Sequence, residues 1–247
     1  MKIVLGAVFA ACLVFVNLAV GGSAAVGSQL DAAATMPACD WRGLYLGLHA
    51  GGQFGQSTNT DLDNYNFPNR SWDYDQSGFV GGEQLGYNWQ VGRLLLGLEV
   101  DGGYMRVHGR GLEPGFPGDT FGESDSDFYA TFRGRVGVTA GRWLFYATGG
   151  AIGVNDSSRV VDRSFTTRGP DTIDASREDF RLGYTVGGGA ERMFAAFGRC
   201  WSVKVEYFYF NVDDKTFSAV SDNGFGPYRF RGGSDGNILR VGVNYHF

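Results

Sequence analysis

The chain has 247 residues and a formal net charge of −5, so it lacks the basic surplus that a nucleic-acid-binding protein requires. Glycine accounts for 40 residues, about 16% against roughly 7% in an average protein, and aromatic residues account for another 15%. After the N-terminus the sequence lacks Leu- and Ala-rich stretches with the periodicity of amphipathic helices, which argues for an all-β protein.

The first 25 residues have the pattern of a secretory signal peptide. Lys2 precedes an apolar run from residue 3 to residue 20, and the small residues Gly21-Gly22-Ser23-Ala24-Ala25 follow it. The alternative is an uncleaved anchor, because the run approaches the ~18 residues with which a helix spans a bilayer. We expect cleavage near residue 24 or 25, which leaves 20 basic and 26 acidic residues, a net charge of −6.

Residues 26–40 show no periodic pattern and are predicted to form a short flexible lead-in to a domain at 41–247. From Trp41 onward, runs of about ten residues alternate between apolar and polar or small side chains, which is typical of strands with one apolar face. In the first run, Leu44, Leu46 and Leu48 lie opposite Tyr45 and His49. The eight predicted strands are 44–53, 78–90, 94–103, 128–139, 143–154, 182–191, 201–212 and 239–247.

Long and short connections alternate between these strands. Polar stretches at 55–77, 108–126, 155–179 and 213–236 are predicted to be long loops, and 91–93, 140–142 and 196–199 to be tight turns with a Gly-Arg pair. This regularity indicates an antiparallel up-and-down meander, whose edges disappear when the last strand pairs with the first. A soluble sandwich remains the alternative for the final strand considered alone.

The two faces of the predicted strands differ in charge. One face carries carboxylates and cations of matching number, Glu99, Asp101, Glu191 and Glu206 with Arg133, Arg135, Lys204 and Arg240. Eight strands leave an interior that side chains fill, and buried charges there must be paired, so we predict a lumen ion-pair network. The alternative is a soluble barrel of the lipocalin type with these charges in solvent.

The opposite face is apolar, with aromatic residues toward strand ends. Aromatic girdles around an apolar band are typical of outer-membrane barrels. The predicted membrane girdle consists of Trp41, Trp89, Trp143, Trp201, Tyr245 and Phe247. Glu83 also falls on this face, and we expect either a β-bulge at Gly81-Gly82 that resets the register or a neighbour that pairs with the carboxylate.

Several motifs together resemble those of a known family. They include Trp41-x-Gly43-x-Tyr45-x-Gly47, Gly78-Phe79-x-Gly81-Gly82-x-Gln84, Arg133-Gly134-Arg135-x-Gly137 and Lys204-x-Glu206-Tyr207-x-Tyr209. Their order and spacing over residues 41–247 resemble the outer-membrane β-barrel family of small alphaproteobacterial surface antigens, related to opacity-type proteins. Glu83 and Arg192 depart from the apolar or aromatic residues that this pattern leads us to expect.

The resemblance implies an eight-stranded antiparallel up-and-down transmembrane β-barrel in the outer membrane of a Gram-negative cell, with extracellular long loops and periplasmic termini. It also implies a role in envelope integrity and surface antigenicity, contact with outer-membrane lipid and lipopolysaccharide, and recognition of the C-terminal strand by the barrel insertion machinery. Although such proteins are sometimes called porins, the filled lumen predicts little or no conduction.

Other functions are weaker alternatives. An adhesin or a haem-binding module would use aromatic residues of the first and fourth predicted loops, namely Tyr65, Phe67, Trp72, Tyr74, Phe217, Phe225, Tyr228 and Phe230. A lipid-modifying enzyme would need a serine beside a histidine, and none of His49, His108 and His246 has an obvious serine partner. We expect that the protein is not an enzyme and that it has no cofactor or metal site. A small diffusion pore is a further alternative.

Two cysteines follow the predicted signal peptide. Cys39 precedes the first strand and Cys200 lies in the last short turn, so both belong to the same end of a closed barrel. A disulfide forms there if the lead-in folds back, and free thiols are the alternative.

Overall fold

The computed structural model describes residues 39–63, 71–112, 120–166, 169–219 and 227–247. Eight strands form a closed barrel in which each strand is antiparallel to both neighbours. They are β1 (Gly43–Asp61), β2 (Ser71–Val91), β3 (Leu94–Leu112), β4 (Thr120–Ala140), β5 (Trp143–Thr166), β6 (Gly169–Ala196), β7 (Arg199–Ala219) and β8 (Tyr228–His246). The predicted fold class is therefore confirmed, including closure between β1 and β8 from Tyr45↔His246 to Asp61↔Phe230.

The strands extend well into the stretches that the sequence predicts to be long loops. Residues 55–61 belong to β1 and residues 71–77 to β2, so the predicted loop 55–77 is wrong over most of its length. Both faces of the β1 extension are polar, and the β2 extension has only Trp72 and Tyr74 as apolar inward residues, so a search for a sustained apolar face does not detect these strands. The parts of the predicted loops at 64–70, 113–119, 167–168 and 220–226 lie outside the described residues.

The three tight turns lie where the sequence predicts them. Gly92, Gly141 and Gly198 adopt φ values of 61°, 62° and 68°, a region that glycine enters without steric cost. We call the end of the barrel that carries these turns the turn end, and the opposite end the loop end. Within the described residues, no helix has the length and apolar character needed to cross a membrane.

The predicted bulge at Gly81-Gly82 is wrong. Register is continuous through these residues in both the β1–β2 and β2–β3 pairs, so Glu83 stays on the outer surface. Register shifts lie instead at Asp127 of β4, which is an extra residue relative to β5, and at Asp213-Asp214 of β7, which has an extra residue relative to β8. Because an extra residue switches the parity of a strand, β4 points both Ser126 and Tyr129 into the lumen.

The lumen is filled by layers of side chains. A turn-end cluster contains Trp41, Leu95, Leu144, Tyr146 and Met193. A middle cluster contains Val80, Met105, Val107, Tyr129, Ile152, Val154, Phe208, Phe210, Val212 and Ile238. A loop-end cluster contains Trp72, Tyr74, Val160, Phe217 and Phe230. The charged residues lie between the turn-end and middle clusters. On β3, for example, Glu99 and Asp101 lie between Leu95 of the turn-end cluster and Met105 of the middle cluster.

Trp41 does not lie on the outer surface, so its assignment to the girdle is wrong. Only 4% of Trp41 is exposed, and its carbonyl accepts a hydrogen bond of 2.9 Å from Asn88 Nδ2 inside the barrel. The residue precedes β1, where the chain folds across the turn end and alternation no longer decides direction. The other five predicted girdle residues lie on the outer surface near the turn end: Trp89, Trp143, Trp201, Tyr245 and Phe247.

Candidate functional site

The charged lumen residues occupy alternate inward positions on five strands. β3 supplies Glu99 and Asp101, β4 supplies Arg133 and Arg135, β6 supplies Glu191, β7 supplies Lys204 and Glu206, and β8 supplies Arg240. Register places Glu99 opposite Arg133 and Glu206 opposite Arg240 on neighbouring strands. The structure brings all eight residues together, with four cations facing four carboxylates.

Arg133 lies at the centre of this network. Its guanidinium contacts Glu99, lies 2.6 Å from Asp101 Oδ2, and lies 3.1 Å from Glu206 Oε1. These carboxylates belong to β3 and β7, which are not neighbours, so the contacts cross the lumen. One arginine therefore joins opposite walls of the barrel.

Arg240 and Lys204 complete the central group. Arg240 Nη2 lies 3.0 Å from Asp101 Oδ2 and 2.6 Å from Glu206 Oε2. Lys204 Nζ lies 3.0 Å from Glu99 Oε2 and 3.6 Å from Glu206 Oε2. Each of the three carboxylates is therefore shared by at least two cations.

Arg135 and Glu191 form a branch toward the turn end. Arg135 Nη1 lies 3.3 Å from Glu191 Oε2, and the same guanidinium donates to Asn88 Oδ1 at 2.7 Å and 2.9 Å. Glu191 also accepts hydrogen bonds from Ser202 and, at 2.6 Å, from Asn244 Nδ2. The carboxylate is thus satisfied on both oxygens.

All eight charged residues are at most 4% exposed. Ionised groups removed from water are tolerated only when they are paired and hydrogen-bonded, and this network meets that condition. Aromatic rings add to it: Phe208 lies 4.9 Å from both the Arg133 and Arg240 guanidinium carbons, and Tyr45 donates a 2.6 Å hydrogen bond to Glu99. The sequence pattern did not reveal these rings as partners.

The three histidines lie in different surroundings. His49 contacts Gln84 Oε1 at 3.1 Å and Tyr129 Oη at 2.5 Å in the lumen, and His108 contacts Asp125 near the loop end. His246 Nε2 lies 2.9 Å from Ser202 Oγ, so the prediction that no histidine has a serine partner is wrong.

Register explains the pair that the sequence reading missed. Cys200 pairs with His246 and Ser202 with Asn244 across β7 and β8, so the inward parity of both strands brings Ser202 and His246 together. The Ser202 hydroxyl donates to Glu191, and both Ser202 and His246 are buried. An inaccessible hydroxyl whose proton is held by a carboxylate is not arranged as a nucleophile activated by histidine.

Four aromatic residues assigned to loop binding surfaces lie inside the barrel instead. Trp72, Tyr74, Phe217 and Phe230 are each at most 6% exposed and form the loop-end cluster, with Tyr228 packed against it. They pack against one another, so they are not exposed recognition residues. Tyr65, Phe67 and Phe225 lie outside the described residues.

Two contacts fasten the ends of the barrel. At the turn end, Cys39 and Cys200 form a disulfide with a Cα–Cα distance of 5.5 Å, beside the buried Trp41. At the loop end, Arg229 Nη2 lies 2.6 Å from Asp63 Oδ1, and the hydrogen bonds from Arg229 hold the pKa of Asp63 below its ordinary value. Among the described residues, no three His, Cys, Asp or Glu side chains form a group that could hold a metal ion.

The chain matches the family described as outer membrane protein beta-barrel domain over residues 19–247. It belongs to this family. The resemblance stated from the motifs is thereby confirmed, and the closed barrel with its apolar outer surface is that of an outer-membrane protein.

Relatives of this outer-membrane protein agree with that assignment. The chain is 31% identical over 224 residues to the 31 kDa outer-membrane immunogenic protein of Brucella melitensis biotype 1, covering 87% of each chain. It is 32% identical over 212 residues to the 22 kDa outer membrane protein of Rhizobium leguminosarum bv. viciae, covering 85% of this chain and 80% of the relative.

A solved structure shares the fold. The outer membrane protein OprG from Pseudomonas aeruginosa superimposes with a TM-score of 0.51 at 12% sequence identity, covering 83% of this chain and 96% of OprG. At this level of identity the similarity concerns the fold alone.

Proposed function

We propose that this outer-membrane protein is a structural, surface-exposed component of the envelope, with a closed lumen and little or no conduction. The loop end faces the outside, and the turn end faces the periplasm with both termini of the mature chain. Trp89, Trp143 and the ring pair Trp201–Tyr245, whose centroids are 5.2 Å apart, form the periplasmic girdle. The immunogenic name of the Brucella relative supports the surface-exposed role.

The observation that carries the proposal is the ion-pair network between the turn-end and middle clusters. A hydrated ion that entered the lumen would have to separate Arg133 and Arg240 from their carboxylates and then cross an apolar layer. Separating a buried pair leaves charges uncompensated and costs roughly 3 to 5 kcal/mol, and two such pairs must open together. The resting barrel therefore offers no continuous aqueous path.

Planar-bilayer recording tests this proposal. Purified folded protein is expected to insert and to give no large, stable conductance steps, while a wide porin in the same bilayer provides the positive control. Insertion is checked independently by protease protection of the barrel. Large, stable open channels from inserted protein would contradict the closed-lumen function.

Processing and assembly are part of the same proposal. Residues 1–25 are removed as a signal peptide, and the mass of the mature protein tests this cleavage directly. Residues 26–40 form the periplasmic lead-in. The C-terminal strand is the segment that the barrel insertion machinery binds. Lipid and lipopolysaccharide contact the apolar outer surface.

Binding of a host surface or haem through the loops is a weaker proposal, since Trp72, Tyr74, Phe217 and Phe230 are used in packing. We also propose that the protein is not an enzyme, because its buried acids and bases are engaged in the network. Lipid A deacylation or palmitate transfer by membranes that contain the protein would contradict this part.

A further inference from the structure

An apolar groove lies on the outer surface of the barrel near the turn end. It has a volume of about 430 Å³ and runs across the surface from β3 to β6. The outward side chains that line it are those of Leu94, Val136, Val138, Phe145 and Ala147. Because the outer surface of an outer-membrane barrel faces lipid at this level, a groove of this composition accepts an acyl chain.

Two arginines lie at the edge of this groove that is nearer to the turn end. Arg192 of β6 pairs in register with Trp143 of β5, and its guanidinium carbon lies 5.5 Å from the centre of that ring. Arg142 precedes Trp143, and its carbonyl accepts a 2.8 Å hydrogen bond from the Met193 amide. At ~3.3 Å per residue and ~4.8 Å per strand, the two arginine Cα atoms lie about 6 Å apart, and Trp143 lies about 7 Å from Phe145 of the groove. Both cations are therefore within reach of one headgroup at the end of the groove.

Neither arginine forms an ion pair with a carboxylate of the described residues. On the outer surface between the middle of the barrel and the turn end, the described acids are Asp40, which lies 3.5 Å from Arg42, and Glu83, which lies on β2, three strands from β5. The whole chain has a net charge of −5, so the surplus of cations at this place is a local property. Guanidinium groups bind phosphate through paired N–H donors, and an aromatic girdle lies at the headgroup level of a leaflet.

We infer that this groove and its two arginines form a binding site for one phospholipid of the periplasmic leaflet. The phosphate lies between Arg142 and Arg192, the Trp143 ring lies beside the glycerol region, and an acyl chain fills the groove. The choice of leaflet rests on the proposed function, which directs the turn end to the periplasm. Lipopolysaccharide occupies the opposite leaflet, and inorganic phosphate has no chain that the groove could accept.

Native mass spectrometry of the folded barrel, released from detergent micelles, measures binding of the first lipid. The three probes are phosphatidylglycerol, diacylglycerol with the same acyl chains, and glycerol phosphate. We expect phosphatidylglycerol to bind about tenfold more tightly than the probe without a phosphate and the probe without chains. Equal binding of diacylglycerol would overturn the phosphate site, and equal binding of glycerol phosphate would overturn the assignment to a lipid.

Two double variants test whether these arginines act as a defined site. Arg142→Gln combined with Arg192→Gln should weaken binding of phosphatidylglycerol about tenfold. The control combines Arg93→Gln with Arg199→Gln, which removes the same charge from two other exposed arginines of the turn end and should change binding less than about twofold. Equal weakening by the two double variants would indicate diffuse attraction to the whole turn end and would overturn the site.

A second pair of variants tests the groove. Ala147→Phe places a ring in the groove and should weaken binding of phosphatidylglycerol about tenfold. Ala151→Phe adds the same ring to the outward face of the same strand, four residues toward the loop end and outside the groove, and should leave binding unchanged. Heat-modifiable mobility establishes that each variant is folded. Equal affinities of the two variants would mean that the chain lies elsewhere and would overturn the inference.

The leaflet is tested separately in cells. Cys39 and Cys200 are bonded to each other, so Arg93→Cys introduces a free thiol at the turn end, and Ser71→Cys introduces one near the loop end as the positive control. A membrane-impermeant thiol reagent should label Ser71→Cys in intact cells and Arg93→Cys only after the outer membrane is permeabilised. Labelling of Arg93→Cys in intact cells would overturn the orientation in the proposed function and the leaflet with it. Failure of lipid binding in micelles would overturn this inference alone, because that measurement does not depend on orientation.

Discussion

At the scale of single residues, the barrel depends on charges that no solvent reaches. Arg133 and Arg240 each contact both Asp101 and Glu206, so removing one guanidinium still leaves each carboxylate with a partner. The remaining pairs are nevertheless unbalanced, because four carboxylates then face three cations in a medium of low polarity. The buried network is therefore stable only when all four cations and all four carboxylates are present.

Arg133→Ala is expected to lower the free energy of unfolding by about 3 to 5 kcal/mol, because it leaves a buried negative charge uncompensated. Urea-induced unfolding in detergent micelles measures this change. The control is Arg192→Ala, which removes an exposed arginine 5.5 Å from the Trp143 ring and should cost about 1 kcal/mol or less. Equal losses for the two variants would mean that the network does not stabilise the fold.

The members of this network could be predicted from the sequence, but their geometry could not. Alternation alone assigned Glu99, Arg133 and Arg240 to the same face as glycines and threonines. The contacts of Arg133 with Glu206 and of Ser202 with His246 depend on which inward residues share a level, which register and barrel closure decide together. Glu83 shows the same limit, since parity placed it outward correctly while the bulge expected to turn it was absent.

At the scale of elements, the segment before β1 is the part whose structure the sequence predicted least. Residues 39–41 carry no alternation, so Trp41 was assigned to the girdle although it packs inside against Leu95 and Met193. The disulfide to Cys200 holds this segment across the turn end. The extension of β1 was missed because two polar faces give no contrast in hydropathy, and that of β2 because only two aromatic residues, Trp72 and Tyr74, interrupt a polar stretch.

Cys39→Ser is expected to destabilise the barrel, because it removes the disulfide that links two residues 161 positions apart in the chain. Loop-closure entropy predicts a loss of about 2 to 5 kcal/mol in the free energy of unfolding, measured by urea unfolding without reductant. Reductant is the control, since it should lower the stability of the wild-type protein to the same extent and leave that of Cys39→Ser unchanged. An unchanged midpoint for Cys39→Ser would show that the segment is held by packing alone.

Phe247, the residue that follows β8, has two roles. The Phe247 amide donates a 3.1 Å hydrogen bond to the Leu44 carbonyl at the seam, and its ring packs on Tyr245 with a centroid distance of 4.8 Å. Deletion of Phe247 should lower the amount of assembled barrel in the outer membrane more than the amount of exported protein. Fractionation with heat-modifiable mobility measures both, Phe247→Tyr is the conservative control, and unchanged assembly after deletion would contradict the proposed recognition of this strand.

At the scale of the whole molecule, closure and filling depend on each other. Eight strands form an interior that side chains occupy completely, so every strand must approach its neighbours closely enough for the ion pairs to form. Inward glycines make this possible at the seam between β1 and β8. Gly51 pairs with Arg240, and a Cβ atom there would lie 2.1 Å from the Leu239 carbonyl oxygen and 2.6 Å from Arg240 Cα.

Gly51→Val should therefore prevent closure, since the added atoms would overlap with backbone that cannot move without breaking the seam. Its neighbour Gly52 faces outward, and a Cβ atom there would meet nothing closer than 3.7 Å, so Gly52→Val is a control of the same size one residue away. The measurement is the fraction of each variant that shows heat-modifiable mobility after export. Because the two substitutions are alike in composition and β-propensity, only a closed barrel with this register predicts that the first fails and the second folds; equal folding would contradict the seam.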